Sequence, residues 1–341
     1  MGRAIGVDLH KNSLTVCFYE SEERYTFKTY RVSVVGFAAF RKQLQADDEL
    51  AVESTGNTAF FVREIASCVT RVRIVNPVQF KVIANSVKKT DTIDALTIAR
   101  FLSKDLIPEV RMRSKEDGQR SSLIGTRDKF VKLRTVLKNK IHNILNANGV
   151  VSKLEMFSSA AGLERVLAVP LEPSYHFEVK LLVVEIRHLN EAIKQLDEEL
   201  KRQGQQLPGH QNLTSITGIS DTGATIFLTA IGNLADFKDE KALASYFGIV
   251  PRVYQSNQTL HYGRITKRGN KIARTTLVQS TLVAIRYSPY LRAFYEQVKA
   301  RRGSGKAIIA TSRKLLGIIY KTLKHNWVFE DFTTFKLATS S

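Results

Sequence analysis

Four carboxylates and one hydroxyl stand where their types and spacing could do chemistry on a phosphate. Asp8 sits in IGVDLH, an apolar run in which an unpaired carboxylate is costly. Glu53 closes LAVEST just before a Gly56-Asn57 turn, and Asp91 and Asp94 lie three apart in KKTDTIDALTIAR, at the head of a helical pattern. That spacing puts both aspartates on one helix face. Four carboxylates gathered in one place cannot all stay ionised without cations. Hard oxygen donors in that number suit Mg²⁺ or Mn²⁺, and a metal pair could hold a phosphate, activate a nucleophile and steady a leaving oxygen. The plainer reading makes Asp91 an N-cap and Asp94 a first-turn acid, each favoured by the helix dipole. Lys88 and Lys89, just upstream, read as surface residues or as a lure for a nucleic-acid strand.

The hydroxyl is Ser256, in the polar loop YQSNQ that leads into a basic segment. Arg264, Lys267 and Arg268 follow closely enough to hold phosphate. A serine hydroxyl needs a base or a metal to activate it, and no Ser-His-Asp arrangement accompanies this one, although His261 is near. Tyr254 is the rival nucleophile; its other role would be packing, or stacking on a base.

These residues need elements to position them. RAIGVDLH, SLTVCFYE and RYTFKTYRVS read as short strands of an antiparallel meander. Helix GFAAFRKQLQA, strand LAVEST, helix TAFFVREIASCV, strand RVRIVNP and a helical pair to about residue 103 follow. This βββαβαβα order predicts a mixed sheet faced by helices. In a ribonuclease H-like sheet the first and fourth strands are neighbours, which would bring Asp8 and Glu53 together. From 111 to 204 the pattern is helical. Phe130, Leu133, Leu137, Ile141 and Ile144 form one apolar stripe, with Arg127, Lys132, Arg134 and Lys138 on the remaining faces. Leu182, Ile186, Leu189, Ile193, Leu196 and Leu200 form a heptad seam suited to self-pairing or to an antiparallel hairpin. RQGQQLPGHQN reads as a linker, and the turn at Gly218 resembles a helix-hairpin-helix, with Ser220 where a second glycine is common. The expected domains are 1–110, 111–204 and 205–341.

Composition bounds the partners. The chain of 341 residues carries 51 Lys plus Arg against 32 Asp plus Glu, a formal charge of +19, with 43% hydrophobic residues. Such an excess favours a polyanion, nucleic acid ahead of an anionic membrane. Lys271 and Arg274 belong to the densest basic stretch, from Arg264 to Lys324, where Glu296 is the one acid. No apolar run reaches membrane-spanning length and no secretory pattern opens the chain, so a soluble intracellular protein is expected. Cys17 and Cys68 lack the spacing of a zinc site and read as core residues.

With these residues in view, the sequence resembles the DEDD transposases of the insertion-sequence-110 family, relatives of the Piv and MooV invertases. GVDLHKNSLTV is similar to the opening strand motif of that family, ESTGN to its glutamate motif and KTDTIDALTIA to its paired-aspartate motif. ASYFGIVPRVYQSNQTLHYGRITKRGNKIARTTL is similar to its C-terminal signature. The resemblance runs along nearly the whole chain, in the right order.

The resemblance implies an α/β plus α architecture: a RuvC-like N-terminal domain, a central coiled coil, and a mainly helical C-terminal domain. Asp8, Glu53, Asp91 and Asp94 would bind the metal, Mg²⁺ or Mn²⁺, and Ser256 would form a covalent phosphoserine link to DNA. Arg127, Lys132, Arg134, Lys138, Arg264, Lys267, Arg268, Lys271 and Arg274 would contact nucleic acid. Partners would be double-stranded donor and target DNA, a structured bridge RNA pairing with both, and further copies of the chain as a dimer joining into a tetramer. The setting would be the bacterial cytoplasm, on the nucleoid. One departure is Asn257, where the family commonly has glycine after the serine. Two other readings stand beside this one: a RuvC-like metal-dependent nuclease that resolves branched DNA without a covalent intermediate, and a nucleic-acid-binding protein whose acids only cap helices.

Overall fold

The computed structural model describes residues 2–83, 90–110, 112, 114–256 and 259–330. It divides into two compact units, Met1–Ser114 and Lys115–Ser341. Among the described residues, no helix is long and apolar enough to cross a membrane.

The first unit is built on five strands. β1 (Ala4–Leu9), β2 (Ser13–Tyr19) and β3 (Tyr25–Arg31) form the antiparallel meander. Helix α1 (Val34–Arg41) then carries the chain to β4 (Glu49–Glu53), which lies parallel to β1; α2 (Thr58–Ile65) leads to β5 (Arg71–Val75), parallel to β4. The order across the sheet is β3-β2-β1-β4-β5. Helices α3 (Pro77–Ile83) and α4 (Asp91–Ser103) follow.

Strand periodicity sorts the sheet's side chains between two cores. Ile5, Val7, Leu9 and Val52 pack with Phe37, Phe40, Phe61 and Ile65 of α1 and α2. Ala4, Cys17, Ala51 and Val75 pack with Ala95, Ile98, Ala99 and Leu102 of α4. Side chains two apart on a strand share a face, so Asp8 and Glu53 fall on the α4 side. Helix α4 reaches that face closely because Gly6 lacks a side chain. A Cβ there would fall 2.0 Å from the Ala95 carbonyl oxygen and 2.5 Å from the Ala99 nitrogen.

In the second unit, α5 (Lys115–Ala147) and α7 (Pro173–Gly204) are the two long helices, with α6 (Ala160–Leu167) between them in sequence. Three ties fix them as antiparallel: Arg127 to Asp197 at 2.7 Å, Arg134 to Asn190 at 2.8 Å and Lys140 to Glu178 at 3.0 Å. The buried stripe of α7 differs from the heptad seam. Val179 and Val183 join Ile186, Ile193 and Leu200 inside, while Leu182, Leu189 and Leu196 are only half-buried. The stripe is broader because α6 packs on α7 beside α5.

The expected linker after α7 is a packed corner instead. His210 opens α8 (His210–Thr214) almost fully buried, its Nε2 3.3 Å from the Asp221 carbonyl oxygen. Gly218 then turns the chain into α9 (Asp221–Ile231), where the Ser220 hydroxyl accepts from Gly223 N–H as N-cap. Helix α10 (Glu240–Phe247) precedes a two-stranded ribbon of β6 (Pro251–Ser256) and β7 (Thr259–Ile265). Helices α11 (Lys271–Tyr287), α12 (Pro289–Arg302) and α13 (Ser304–His325) close the core around Leu277, Leu291, Leu315 and Ile319.

Candidate active site

The site grows from the C-terminal ends of β1 and β4. Parallel pairing aligns Val7 with Val52, so Asp8 and Glu53 each come one residue later on neighbouring strands. A second tether holds the same edge. The Asn57 side-chain amide donates to the carbonyl oxygens of His10, at 3.1 Å, and Lys11, at 3.3 Å, pinning the turn after β4 to the turn after β1. The Thr58 hydroxyl donates to the Glu53 carbonyl at 2.8 Å and fixes the strand end itself.

Helix α4 supplies the other two acids, and here the capping expectation needs correction. The N-cap is Thr90, whose hydroxyl accepts from Ile93 N–H at 3.3 Å. Asp91 is therefore the first helical residue, with its carboxylate free of capping duty and turned to solvent and to His10. Asp94 lies one turn on, half-buried. Lys88, Lys89 and Asn257 lie outside the described residues.

His10 is the member that sequence reading passed over. Its Nε2 lies 3.1 Å from an Asp8 oxygen and 3.3 Å from an Asp91 oxygen. Donor atoms of Asp8, His10 and Asp91 all fall within 4.8 Å of one another. The signal was in the sequence: a second metal-ligand residue type two positions after Asp8, at a strand end.

Electrostatics mark Asp8 as the centre of the group. Burial raises its carboxyl above the ordinary range, His10 opposes this, and the charges of Asp91, Asp94 and Glu53 push it further up. At His10, burial pulls the imidazolium down, but Asp8 and Asp91 outweigh it and hold it above the ordinary value. A nearly buried carboxylate with the Asp91 carboxylate and an exposed imidazole beside it is a donor set that fits a divalent cation; Glu53 and Asp94 act on Asp8 through their charge and lie outside that tight group.

The remaining expected residues belong to the second unit. Ser256 ends strand β6, opposite Thr259, rather than sitting in a loop. Lys267 and Arg268 are exposed on a tight turn, in which Gly269 (φ +99°) approaches α10 so closely that a Cβ would lie 1.9 Å from the Tyr246 carbonyl oxygen. Arg264 and Lys271 are exposed, whereas Arg274 donates to the Phe247 carbonyl at 3.2 Å. On α5, Arg127 grips Asp197 through both its Nε and Nη2, Arg134 is tied to Asn190, and Lys132 pairs with Asp128. Burial lowers the Lys138 ammonium, with Arg134 adding to the effect.

Two family models match the sequence. One, for DEDD transposases of the IS110 type, covers residues 5–148; the other, described as "Transposase IS116/IS110/IS902 family", covers residues 210–296. Similar full-length proteins include the transposase for insertion sequence element IS1111A of Coxiella burnetii, 26% identical over 94% of this chain and 89% of the relative. The transposase for element IS1328 of Yersinia enterocolitica is 27% identical over 95% of this chain and 98% of its own length. A pilin gene-inverting protein of Moraxella bovis is 28% identical, over 96% and 97% respectively.

Proposed function

The chain belongs to the IS110 family of transposases, DNA-processing enzymes, and from that premise we propose that it is a metal-dependent, RNA-guided DNA recombinase with a serine nucleophile. The observation that carries the reading is the gathering of Asp8 and Asp91 about His10, with Glu53 and Asp94 close enough to raise the Asp8 carboxyl. Asp8, Glu53, Asp91 and Asp94 would hold Mg²⁺ or Mn²⁺, which supplies positive charge beside a DNA phosphate. Ser256 Oγ attacks a DNA phosphorus, giving up its proton, and forms a phosphoserine ester. One bridging P–O bond breaks, and the freed deoxyribose oxygen takes up a proton. Attack on the ester by a hydroxyl of the exchanging strand then restores the phosphodiester and returns the serine.

Arg264, Lys267, Arg268, Lys271 and Arg274, with the basic face of α5, supply phosphate contacts, which set register without reading sequence. Specificity comes from a bridge RNA pairing with donor and target DNA. Regions 111–204 and 205–341 act as a pairing hairpin and a strand-transfer domain in a dimer that joins into a tetramer in the bacterial cytoplasm.

The test is a recombination assay with trapping of protein–DNA adducts. Ser256→Ala is expected to lose the adduct and the recombinant product while binding RNA normally. Continued recombination by that variant, with loss in Tyr254→Phe, would transfer the nucleophile to the tyrosine. Strand cleavage by Ser256→Ala without any adduct would instead establish the nuclease reading.

A further inference from the structure

The β6–β7 ribbon is the one sheet of the second unit among the described residues, and it presents apolar and aromatic side chains on both faces. Register pairs Val253 with Tyr262 and Tyr254 with His261. Because successive side chains alternate, Tyr254 and His261 share one face and Val253 and Tyr262 the other. Tyr254 is 57% exposed and Tyr262 is 67% exposed. Neither ring therefore serves the core. The Tyr254 ring reaches across its strand partner, with Cε2 3.2 Å from where a Gly263 Cβ would stand. A Cβ at Gly263 would press on the ring, which would have to give by a few tenths of an ångström.

Charge selects the occupant. No Asp or Glu occurs from Lys241 to Tyr295, while nine lysines and arginines do. Arg252 and Arg264 lie on the ribbon, with Lys267 and Arg268 just beyond it. A peptide partner would meet only positive charge here. A polyanion carrying flat rings meets both complements at once, since a base stacks on an aromatic side chain and its phosphate is drawn to the arginines. Bases inside a duplex have no free face, so the rings must be unpaired.

We propose that the ribbon is a wedge for unpaired DNA bases, with Tyr254 stacking one base on one face and Tyr262 another on the opposite face. The proposal rests on the reading of the chain as a transposase acting on DNA, and places the ribbon where paired strands come apart. It requires the rings of the two tyrosines and not their hydroxyls.

Binding by the full-length protein, in the Ser256→Ala background at fixed salt, isolates stacking from chemistry. The probes are a paired DNA duplex, the same duplex with a short unpaired stretch carrying 2-aminopurine, and single-stranded RNA of the same sequence. Tyr254→Ala and Tyr262→Ala are each expected to weaken binding to unpaired DNA by about tenfold and to relieve 2-aminopurine quenching. Affinity for the paired duplex should stay within about twofold, since the phosphate contacts are untouched. Tyr254→Phe and Tyr262→Phe should bind as the parent does, which also shows that the ribbon folds. Equal losses on paired and unpaired DNA, or no loss on either, would overturn the proposal. So would a loss confined to the RNA. Should the tyrosine variants behave as expected while Ser256 proves dispensable for the covalent product, the nucleophile assignment falls and the wedge stands.

Discussion

Gly6 on β1 lies so close beneath Ala95 on α4 that a single added carbon would come within 2.0 Å of the Ala95 carbonyl oxygen. The contact is backbone against missing side chain, so no rotamer change can relieve it. It sets the height at which α4 carries Asp91 and Asp94 over Asp8.

Gly6→Ala is therefore expected to lift α4, destabilising the protein by ~1–3 kcal/mol, as overpacking typically does. It should also weaken Mn²⁺ binding. Thermal melting and a metal titration on the same samples check this. Ala99→Gly should not rescue the variant, because the shorter contact is to Ala95 backbone. Unchanged melting and metal affinity would mean that α4 does not sit where it is described.

The metal-free protein should lose stability as pH rises. The Asp8 carboxyl is raised in the fold, so its ionisation disfavours folding from the ordinary carboxylate range upward through its folded pKa. His10 is raised above 6.5, so its contribution is complete below that value and lost as pH climbs through the folded pKa. Both slopes have the same sign. Melting in chelator should fall as pH rises from the ordinary carboxylate range through and beyond 6.5, Mg²⁺ or Mn²⁺ should flatten the fall, and His10→Gln should remove its upper part.

Cys17 is paired with Gly6 across the sheet, and burial pushes its thiol up to about 12. The native protein should release one equivalent of chromophore with Ellman's reagent near pH 8, from Cys68, and the second only on unfolding. Rapid labelling of Cys17 would show that α4 leaves the sheet freely.

The bidentate bond from Arg127 to Asp197 predicts that this arginine serves the α5–α7 hairpin as well as any phosphate. Thr222 also donates to Asp197, at 3.0 Å, joining α9 to the same point. Denaturant unfolding of Arg127→Ala, Asp197→Ala and the double variant should show coupling of about 1 kcal/mol. Simple additivity would leave Arg127 available to nucleic acid alone.

Strand alternation and helix periodicity made the first unit's order of elements and its antiparallel meander legible, while the β1–β4 neighbourhood that aligns Asp8 with Glu53 came from the likeness to a ribonuclease H-like sheet. Thr90 was missed as the cap because threonine and aspartate both cap helices, and only backbone geometry decides between them. His10 was missed because its role depends on α4, which arrives eighty residues later and whose docking turns on one glycine. The ribbon escaped notice because YQSNQ, without its partner strand in view, reads as a polar loop.

All five strands of the first sheet, and every acid of the cluster, are specified before residue 95. During synthesis, that first third can assemble while the codons of the ribbon are still untranslated, for roughly ten seconds at ordinary elongation rates. A ribosome that stalls in this interval would release a polypeptide holding all four acids but lacking strand β6 and the serine that ends it.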